Sequence, residues 1–311
     1  MAKQEILLET GTNEVEVAEF RLCGQSFGVN VAKIREFIPF EGIKVSRLPG
    51  RHPSVAGVFL LRGKSIPLVN LDQHLGLARQ EEGQENRVVV VTDFNNMTTA
   101  FVADFINRIY RVSWSEFKPL TAMLAASSPC VVGSVSIDDR EVLILDLEHI
   151  VGEIFPESII NYDEKAFADK PKPGNRAQVK IFFAEDSAII RKQVSKILRS
   201  VGYEQLSIFD NGQTALEAIM QAKAQAESDD QDLSQYLNLV LTDIEMPQMD
   251  GLALCRRIKK ELGLNIPVVI FSSLINEQMA RKCETVGADA YTAKPETERL
   301  IELLDKYSLA G

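Results

Sequence analysis

The sequence predicts two domains of different class: an all-β first half, and an α/β second half on a five-stranded parallel sheet of flavodoxin-like order. Three observations carry this reading. Up to about residue 150 the chain is a series of short runs in which apolar and polar residues alternate between tight turn signals. From Val179 it becomes buried apolar runs alternating with stretches of helical period. Between them Lys170-Pro171-Lys172-Pro173-Gly174-Asn175 has no apolar period and reads as an extended connector. The expected boundaries are 1–157 for the first domain with its leader, 158–177 for the linker and 178–311 for the second domain.

In the first half, the leader from Glu5 to Val17 places Ile6-Leu7-Leu8 before a Thr-Gly-Thr-Asn break, a short piece that docks and stops. Phe20–Cys23 and Ser26–Val29 then flank Gly24-Gln25, read as a hairpin connection. Val55–Leu61, the turn Arg62-Gly63-Lys64 and Ser65–Val69 form a second strand–turn–strand. Arg87–Thr92, Thr99–Val102, Val131–Ile137 and Glu141–Leu145 continue the pattern, the last two joined at Asp138-Asp139-Arg140. Many short strands at close spacing indicate a small β-barrel or paired barrels. This half holds no nucleophile–base pair, no phosphate-cradling glycine loop and no metal-spaced cluster, so it reads as a binding module.

Composition narrows the function classes. The net charge of −10, spread over both halves of 311 residues, argues against nucleic-acid or anionic-membrane binding. Cys23, Cys130, Cys255 and Cys283 are scattered, which points to reduced thiols and against a disulfide framework or zinc site. His52, His74 and His149 are equally dispersed and read as surface or core residues. No secretory signal or bilayer-spanning apolar run is apparent, so a cytoplasmic location without membrane insertion is expected.

In the second half, Val179–Ala184 is a buried strand, followed by Ile190, Val194, Ile197 and Val201 at helical spacing and Gly202 as the stop. Leu206–Phe209 and a helix from Gln213 to about Glu227 come next. Ala222–Gln235 lengthens that helix and adds an acidic loop, read as a solvated insertion. The third strand, Asn238–Thr242, ends on Asp243 before Pro247 and Gly251. Val268–Phe271 and Ala290–Thr292 are the last strands, each followed by a helical pattern.

Open α/β sheets put their chemistry at the C-terminal ends of the strands. Strand one ends in Glu185-Asp186, strand three in Asp243, strand four in Ser272-Ser273, and strand five leads to Lys294-Pro295. A terminal Asp alone is most often a turn residue. Converging carboxylates repel, however, and call for a divalent cation, for which hard oxygen ligands suit Mg²⁺. Lys294 and the Ser272 hydroxyl would face phosphoryl oxygens, leaving Asp243 placed for in-line attack on phosphorus.

Residues Ala18–Leu22, Gly28–Glu36 and Gly57–Leu71, above all Leu61-Arg62-Gly63 and Ile66-Pro67-Leu68-Val69, resemble the CheW coupling domain of bacterial chemotaxis. That resemblance implies two SH3-like barrels that bridge chemoreceptors to the histidine kinase CheA, with Ile34, Glu36, Gly57, Val58 and Arg62 at the partner-contacting surfaces. Ile34 and Val58 serve equally well as core, and Gly57 as a bulge residue. Leu60 stands where many relatives carry Asn.

The second half, with Met246-Pro247-Gln248-Met249-Asp250-Gly251, resembles response-regulator receiver domains along its whole length. The resemblance implies that Glu185 and Asp186 are the acid pair, Asp243 the phosphoacceptor and Ser272 and Tyr291 the switch residues. It makes Lys294 the site lysine before a cis Pro295, and the Glu245 backbone carbonyl a member of the Mg²⁺ shell. Leu274 and Glu245 are expected to hinder the hydrolytic water.

The fusion and its leader resemble the CheV proteins. A phosphate-accepting adaptor at cytoplasmic receptor tips is therefore expected, coupling methyl-accepting chemoreceptors to CheA and serving adaptation or a phosphate sink, not a turnover enzyme. Two rivals stand beside it. One is an aspartyl-phosphate-forming phosphatase, which needs a second acid two residues past the nucleophile, where only Glu245 qualifies. The other is a receiver joined to an unrelated SH3-like ligand module.

Overall fold

The structure is a computed structural model, described here for residues 14–78, 87–94, 97–156 and 175–309. Most of the leader and of the linker, including Ile159 to Phe167, lies outside the described residues. Contacts divide the chain into two compact units, one within Val15–Ser158 and one containing Ile159–Gly311. No described helix is long and apolar enough to cross a membrane.

The first unit runs β1 (Glu14–Leu22), β2 (Gln25–Asn30), β3 (Ile34–Pro39), β4 (Val55–Leu61), β5 (Lys64–Asn70) and the short helix α1 (Leu71–His74). It continues through β6 (Val88–Phe94), β7 (Met97–Ala103), β8 (Phe105–Ser113), β9 (Lys118–Pro119), α2 (Ala122–Ser127), β10 (Val131–Ile137), β11 (Arg140–Leu145) and α3 (Leu147–Ile154). Two sheets result. One has the order β8-β1-β2-β11-β10-β9, the other β3-β6-β7-β5-β4, so the second is nested in sequence between the two halves of the first. One core draws Phe20, Val29, Val55, Val69, Phe101 and Leu145 from both sheets and packs them against Leu147, Ile150 and Val151 of α3.

Three hairpins turn on two residues that both have positive φ: Cys23-Gly24 (51° and 82°), Arg62-Gly63 (49° and 82°) and Asp138-Asp139 (47° and 59°). Such turns match the right-handed twist of the strands they join. The expected Gly24-Gln25 connection is thereby corrected: Gln25 pairs with Leu22 and already belongs to β2. Glu14 to Val17, read as leader, are part of β1. β8 and β9 carried no clean alternation and went unread; β8 interleaves Asn107, Arg108 and Arg111 with its apolar residues and is largely exposed.

Glu19 on β1 is fully buried yet accepts hydrogen bonds from Ser26 (2.7 Å), Asn107 (2.6 Å) and Arg140 (2.8 Å), which tie β2, β8 and β11 to it. Burial pushes its carboxyl up, but these donors together hold it below its ordinary 4.5. A depressed carboxyl stabilises the fold above its unfolded value and loses that contribution as pH falls through its folded value. Urea unfolding followed by the single tryptophan, Trp114, should therefore show the first unit weakening as pH falls below about 4.5. Glu19→Gln should flatten that acid limb, and an unchanged limb would refute the assignment.

The second unit runs β12 (Lys180–Ala184), α4 (Ala188–Ser200), β13 (Gln205–Phe209), α5 (Gly212–Ser228), β14 (Leu239–Thr242) and α6 (Gly251–Arg256), which continues as a π-turn over Arg257–Glu261. β15 (Val268–Ser272), α7 (Glu277–Val286), β16 (Ala290–Ala293) and α8 (Thr297–Ser308) complete it. All strand pairs are parallel, in the order β13-β12-β14-β15-β16. This is the flavodoxin-like order, with a hydrophobic core on each face of the sheet. Asn211, Asp250 and Asn276 cap α5, α6 and α7, each accepting the N–H three residues on, while Gly287 (φ 92°) closes α7 in the left-handed region.

The loop before β14, expected as a solvated insertion, is largely exposed and held as a compact turn by its own polar groups. Tyr236 bonds Asp229, and Asn238 both donates to the Ser234 carbonyl (2.8 Å) and accepts the Lys180 N–H (2.7 Å). At the start of the unit, Arg176 is buried and grips Asp305 of α8 through Nε and Nη2, while the fully buried Tyr203 donates to the same carboxylate at 2.8 Å.

Candidate functional site

β12 and β14 are adjacent and in register, Ala184 opposite Thr242, so the residues that follow them leave the sheet side by side. Asp243 N–H still donates to the Ala184 carbonyl (3.0 Å), which fixes the acceptor carboxylate next to the Glu185-Asp186 pair. One ligand oxygen from each of Glu185, Asp186 and Asp243 falls within 4.8 Å of the others. Lys294, at the end of β16, reaches in with Nζ 2.9 Å from Asp243 Oδ2 and 3.2 Å from Glu185. Glu185, Asp243 and Lys294 are all essentially excluded from solvent, and Asp186 is half-buried.

Three carboxylates against one ammonium leave the cluster formally short by the charge of one divalent cation, and an all-oxygen donor set fits a hard ion such as Mg²⁺. Arg191, one turn into α4, spends its guanidinium on the carbonyls of Glu185 (2.7 Å) and Asp186 (3.0 Å), so it braces the acid loop from behind. That brace was not read from the sequence; an arginine six residues past the first acid was its signal.

The loop after Asp243 is shaped by close packing. A Cβ at Gly251 would lie 1.8 Å from the Asp243 carbonyl oxygen, and one at Gly212 would lie 2.4 Å from the Met249 carbonyl. Gly251 N–H donates to the Ile244 carbonyl (2.9 Å), Ile244 N–H donates to Asp243 Oδ1 (2.6 Å), and Gln248 takes a left-handed φ of 66°. The apolar–Pro–Gly signature is thus a close approach of two backbones. Glu245 lies half-buried in this loop.

Ser272 is fully buried; its carbonyl takes the Lys294 N–H (3.3 Å) and its Oγ the Leu274 N–H (3.4 Å). Tyr291 lies against the core while its hydroxyl donates outward to Glu284 (3.0 Å), which pushes the phenol above its ordinary value. Leu274, expected as a water screen, is buried in the core cluster that also holds Ala184 and Ile244, the neighbours in sequence of Glu185 and Asp243. The Lys294–Pro295 peptide is trans, against the cis bond the family resemblance implied, with Glu296 N–H returning to the Ala293 carbonyl (2.8 Å).

In the first unit the five surface residues separate into two kinds. Gly57 has φ 154° and would place a Cβ 2.3 Å from the Ser46 carbonyl, while Val58 exchanges two backbone hydrogen bonds with Ser46 (2.7 and 2.8 Å). Val58 is half-buried on β4, and Ile34 is half-buried against the core. Arg62 at the β4–β5 tip instead pairs with Glu36 on β3 at 2.7 Å, bridging strands at opposite edges of their sheet. Leu60 beside it is 71% exposed.

Removing the buried ammonium breaks its ion pairs with Glu185 and Asp243, and breaking a buried pair from one side typically costs about 3–5 kcal/mol. Lys294→Met should therefore lower the urea stability of the second unit, read from tyrosine absorbance, when no divalent ion is present, and make that stability depend steeply on Mg²⁺. Equal stability of the two proteins without Mg²⁺ would refute the pairing.

Comparison with known proteins agrees with this geometry. The CheW-like domain profile matches residues 16–155 and the response regulator receiver domain profile residues 181–305. Chemotaxis protein CheV3 of Helicobacter pylori is 29% identical over 308 residues, 94% of this chain and 94% of that protein. CheV2 of the same organism is 26% identical over 309 residues, 94% and 95% of the two chains. Chemotaxis protein CheY of Treponema pallidum is 33% identical over 121 residues, 39% of this chain and 76% of that protein. Both domains occur here in one chain, in the order and over the length that the CheV relatives share, and the chain belongs to the CheV-type family.

Proposed function

We propose that the chain is a chemotaxis coupling adaptor whose first unit links methyl-accepting chemoreceptors to the histidine kinase CheA, and whose second unit tunes that link by accepting a phosphoryl group on Asp243. The carrying observation is the buried Lys294–Asp243–Glu185 cluster at the switch point of the sheet, in one chain with a CheW-like domain. The work would take place in the cytoplasm, at receptor arrays.

In the transfer, a carboxylate oxygen of Asp243 bonds to phosphorus as the P–N bond to the kinase histidine breaks, which leaves the imidazole as leaving group. Glu185, Asp186, Asp243 and the Glu245 carbonyl would hold Mg²⁺, which when bound offsets charge on the phosphoryl oxygens. Lys294 holds its ammonium against Asp243 and thus against the incoming oxygens. Ser272 and Tyr291 are the switch pair, on strands that are neighbours in the sheet.

On the first unit, the exposed Arg62, paired with a half-buried Glu36 beside the exposed Leu60, supports a partner surface at this edge, where a charged tip and an exposed leucine serve no core. Phosphorylation acts only in so far as it favours one state of the adaptor over another. Incubation with ³²P-labelled CheA phosphohistidine should label the wild type and leave Asp243→Asn unlabelled, with Lys294→Arg reduced at least tenfold. Equal labelling of Asp243→Asn would overturn the acceptor assignment, and failure of the wild type to co-sediment with receptor–kinase assemblies would overturn the coupling role.

A further inference from the structure

Glu185 and Asp186 are held by their backbones as well as through their carboxylates. Arg191, half-buried one turn into α4, directs its Nη1 at the Glu185 carbonyl (2.7 Å) and the Asp186 carbonyl (3.0 Å). The Glu185 N–H in turn donates to the Phe209 carbonyl of β13 (3.0 Å). We propose that Arg191 is a positioning residue for the site: by gripping these two carbonyls it aims the Glu185 and Asp186 carboxylates at Asp243 and thereby sets the affinity for Mg²⁺. This role rests on the reading of the cluster as a phosphoacceptor that takes Mg²⁺, and adds what holds its ligands in place.

Planarity of the peptide bond makes this grip effective. Each carbonyl fixes the plane of its own peptide unit, and Asp186 stands between the two planes that Arg191 holds. Its Cα–Cβ direction is fixed with them, although Asp186 is the most exposed of the three acids. Glu185 is held further by the Ser187 N–H, which donates to its Oε1 (3.2 Å). Both carbonyls precede Ser187, the N-cap of α4, and so lie outside the helix's own hydrogen-bond ladder. α4 anchors the arginine in its turn. The Arg191 N–H donates to the Ser187 carbonyl (2.8 Å), and Ile190 beside it is buried in the core. The grip thus spans two fixed points, the end of β12 and the core-packed face of α4.

Charge and position act in opposite directions, which makes them separable. A guanidinium near the acids repels a cation, so on charge alone its removal would tighten Mg²⁺ binding. Fixed ligand geometry does the reverse. Mg²⁺ demands near-ideal octahedral placement of its oxygens, and the groups that orient metal ligands typically contribute about 10–100-fold in affinity. Two charge-assisted hydrogen bonds of ordinary length to the ligand backbone make position the larger effect. Lysine would keep the charge but not the planar nitrogen, whose two N–H bonds point in fixed directions.

The test is calorimetric titration of the full chain with Mg²⁺ in the absence of kinase, beside phosphotransfer from ³²P-labelled CheA at graded Mg²⁺. Arg191→Met should raise the Mg²⁺ dissociation constant roughly tenfold or more, and Arg191→Lys roughly threefold or more. Lys192→Met, which removes an exposed charge one residue on, should stay within about twofold of wild type. The Mg²⁺ concentration for half-maximal labelling should rise by the same factors while the rate at saturating Mg²⁺ stays close to that of wild type. A merely structural role would lower the saturating rate and leave the Mg²⁺ dependence unmoved. Urea midpoints in chelator identify a variant that fails to fold; should Arg191→Met be one, Arg191→Lys decides. Unchanged or tighter Mg²⁺ binding by the arginine variants, or an equal loss in Lys192→Met, would overturn the proposal. A wild type that binds Mg²⁺ but takes no label would refute the phosphoacceptor reading instead and leave the positioning role to the calorimetry.

Discussion

The second unit depends on one ammonium ion. Glu185 and Asp243 are carried to the same point by neighbouring parallel strands and are sealed from water there, a placement that would be strongly unfavourable for two bare carboxylates. Lys294 makes it tolerable, and it arrives from the far side of the sheet, on the strand beyond β15. The strand order is therefore an electrostatic requirement as well as a packing one. Were β16 placed elsewhere in the sheet, Glu185 and Asp243 would lose the ammonium that bonds both of them.

The first unit solves a different problem, with polar groups buried for architecture. Glu19 gathers donors from three other strands, and Asp146 caps α3 by accepting the N–H groups of Glu148 (2.9 Å) and His149 (3.0 Å). Both carboxylates are satisfied locally, and neither cluster resembles the acid-rich, cation-seeking arrangement of the second unit. Chemistry and scaffolding are thus divided between the units at the level of how each buried charge is compensated.

What the sequence made legible follows from range. Parallel strands buried on both faces write themselves as continuous apolar runs, so Val179–Ala184 and Asn238–Thr242 were readable, and with them the acids that end them. Gly202 was readable as a helix stop, and takes a left-handed φ of 106°, because its cause lies within a few residues. β8 was not, because an exposed edge strand needs no alternation. The turn at Cys23-Gly24 was misplaced by one residue because a cysteine at positive φ is an uncommon choice. Gly57 was readable as a bulge residue and Gly251 as part of the motif after Asp243, but only the structure shows which carbonyl each one meets. That His74 and His149 share Glu153 is a property of tertiary folding, since their separation in sequence carries no signal of it.

The nesting of one sheet inside the other has a kinetic side. β1 and β2 are made first, but their partners β8 and β11 follow only after the whole inner sheet has been synthesised. Closing a flexible excursion of roughly seventy residues costs on the order of 4 kcal/mol in chain entropy before any pairing rewards it. A folded inner sheet removes most of that cost, because it delivers Asp104 directly to β1, where its N–H meets the Arg21 carbonyl (2.9 Å) and its carboxylate takes the Cys23 N–H (2.7 Å). A formed inner sheet therefore lowers the entropic cost of pairing the outer strands, and a side chain at Gly57, which strains that inner sheet, would raise the cost for strands that it never touches.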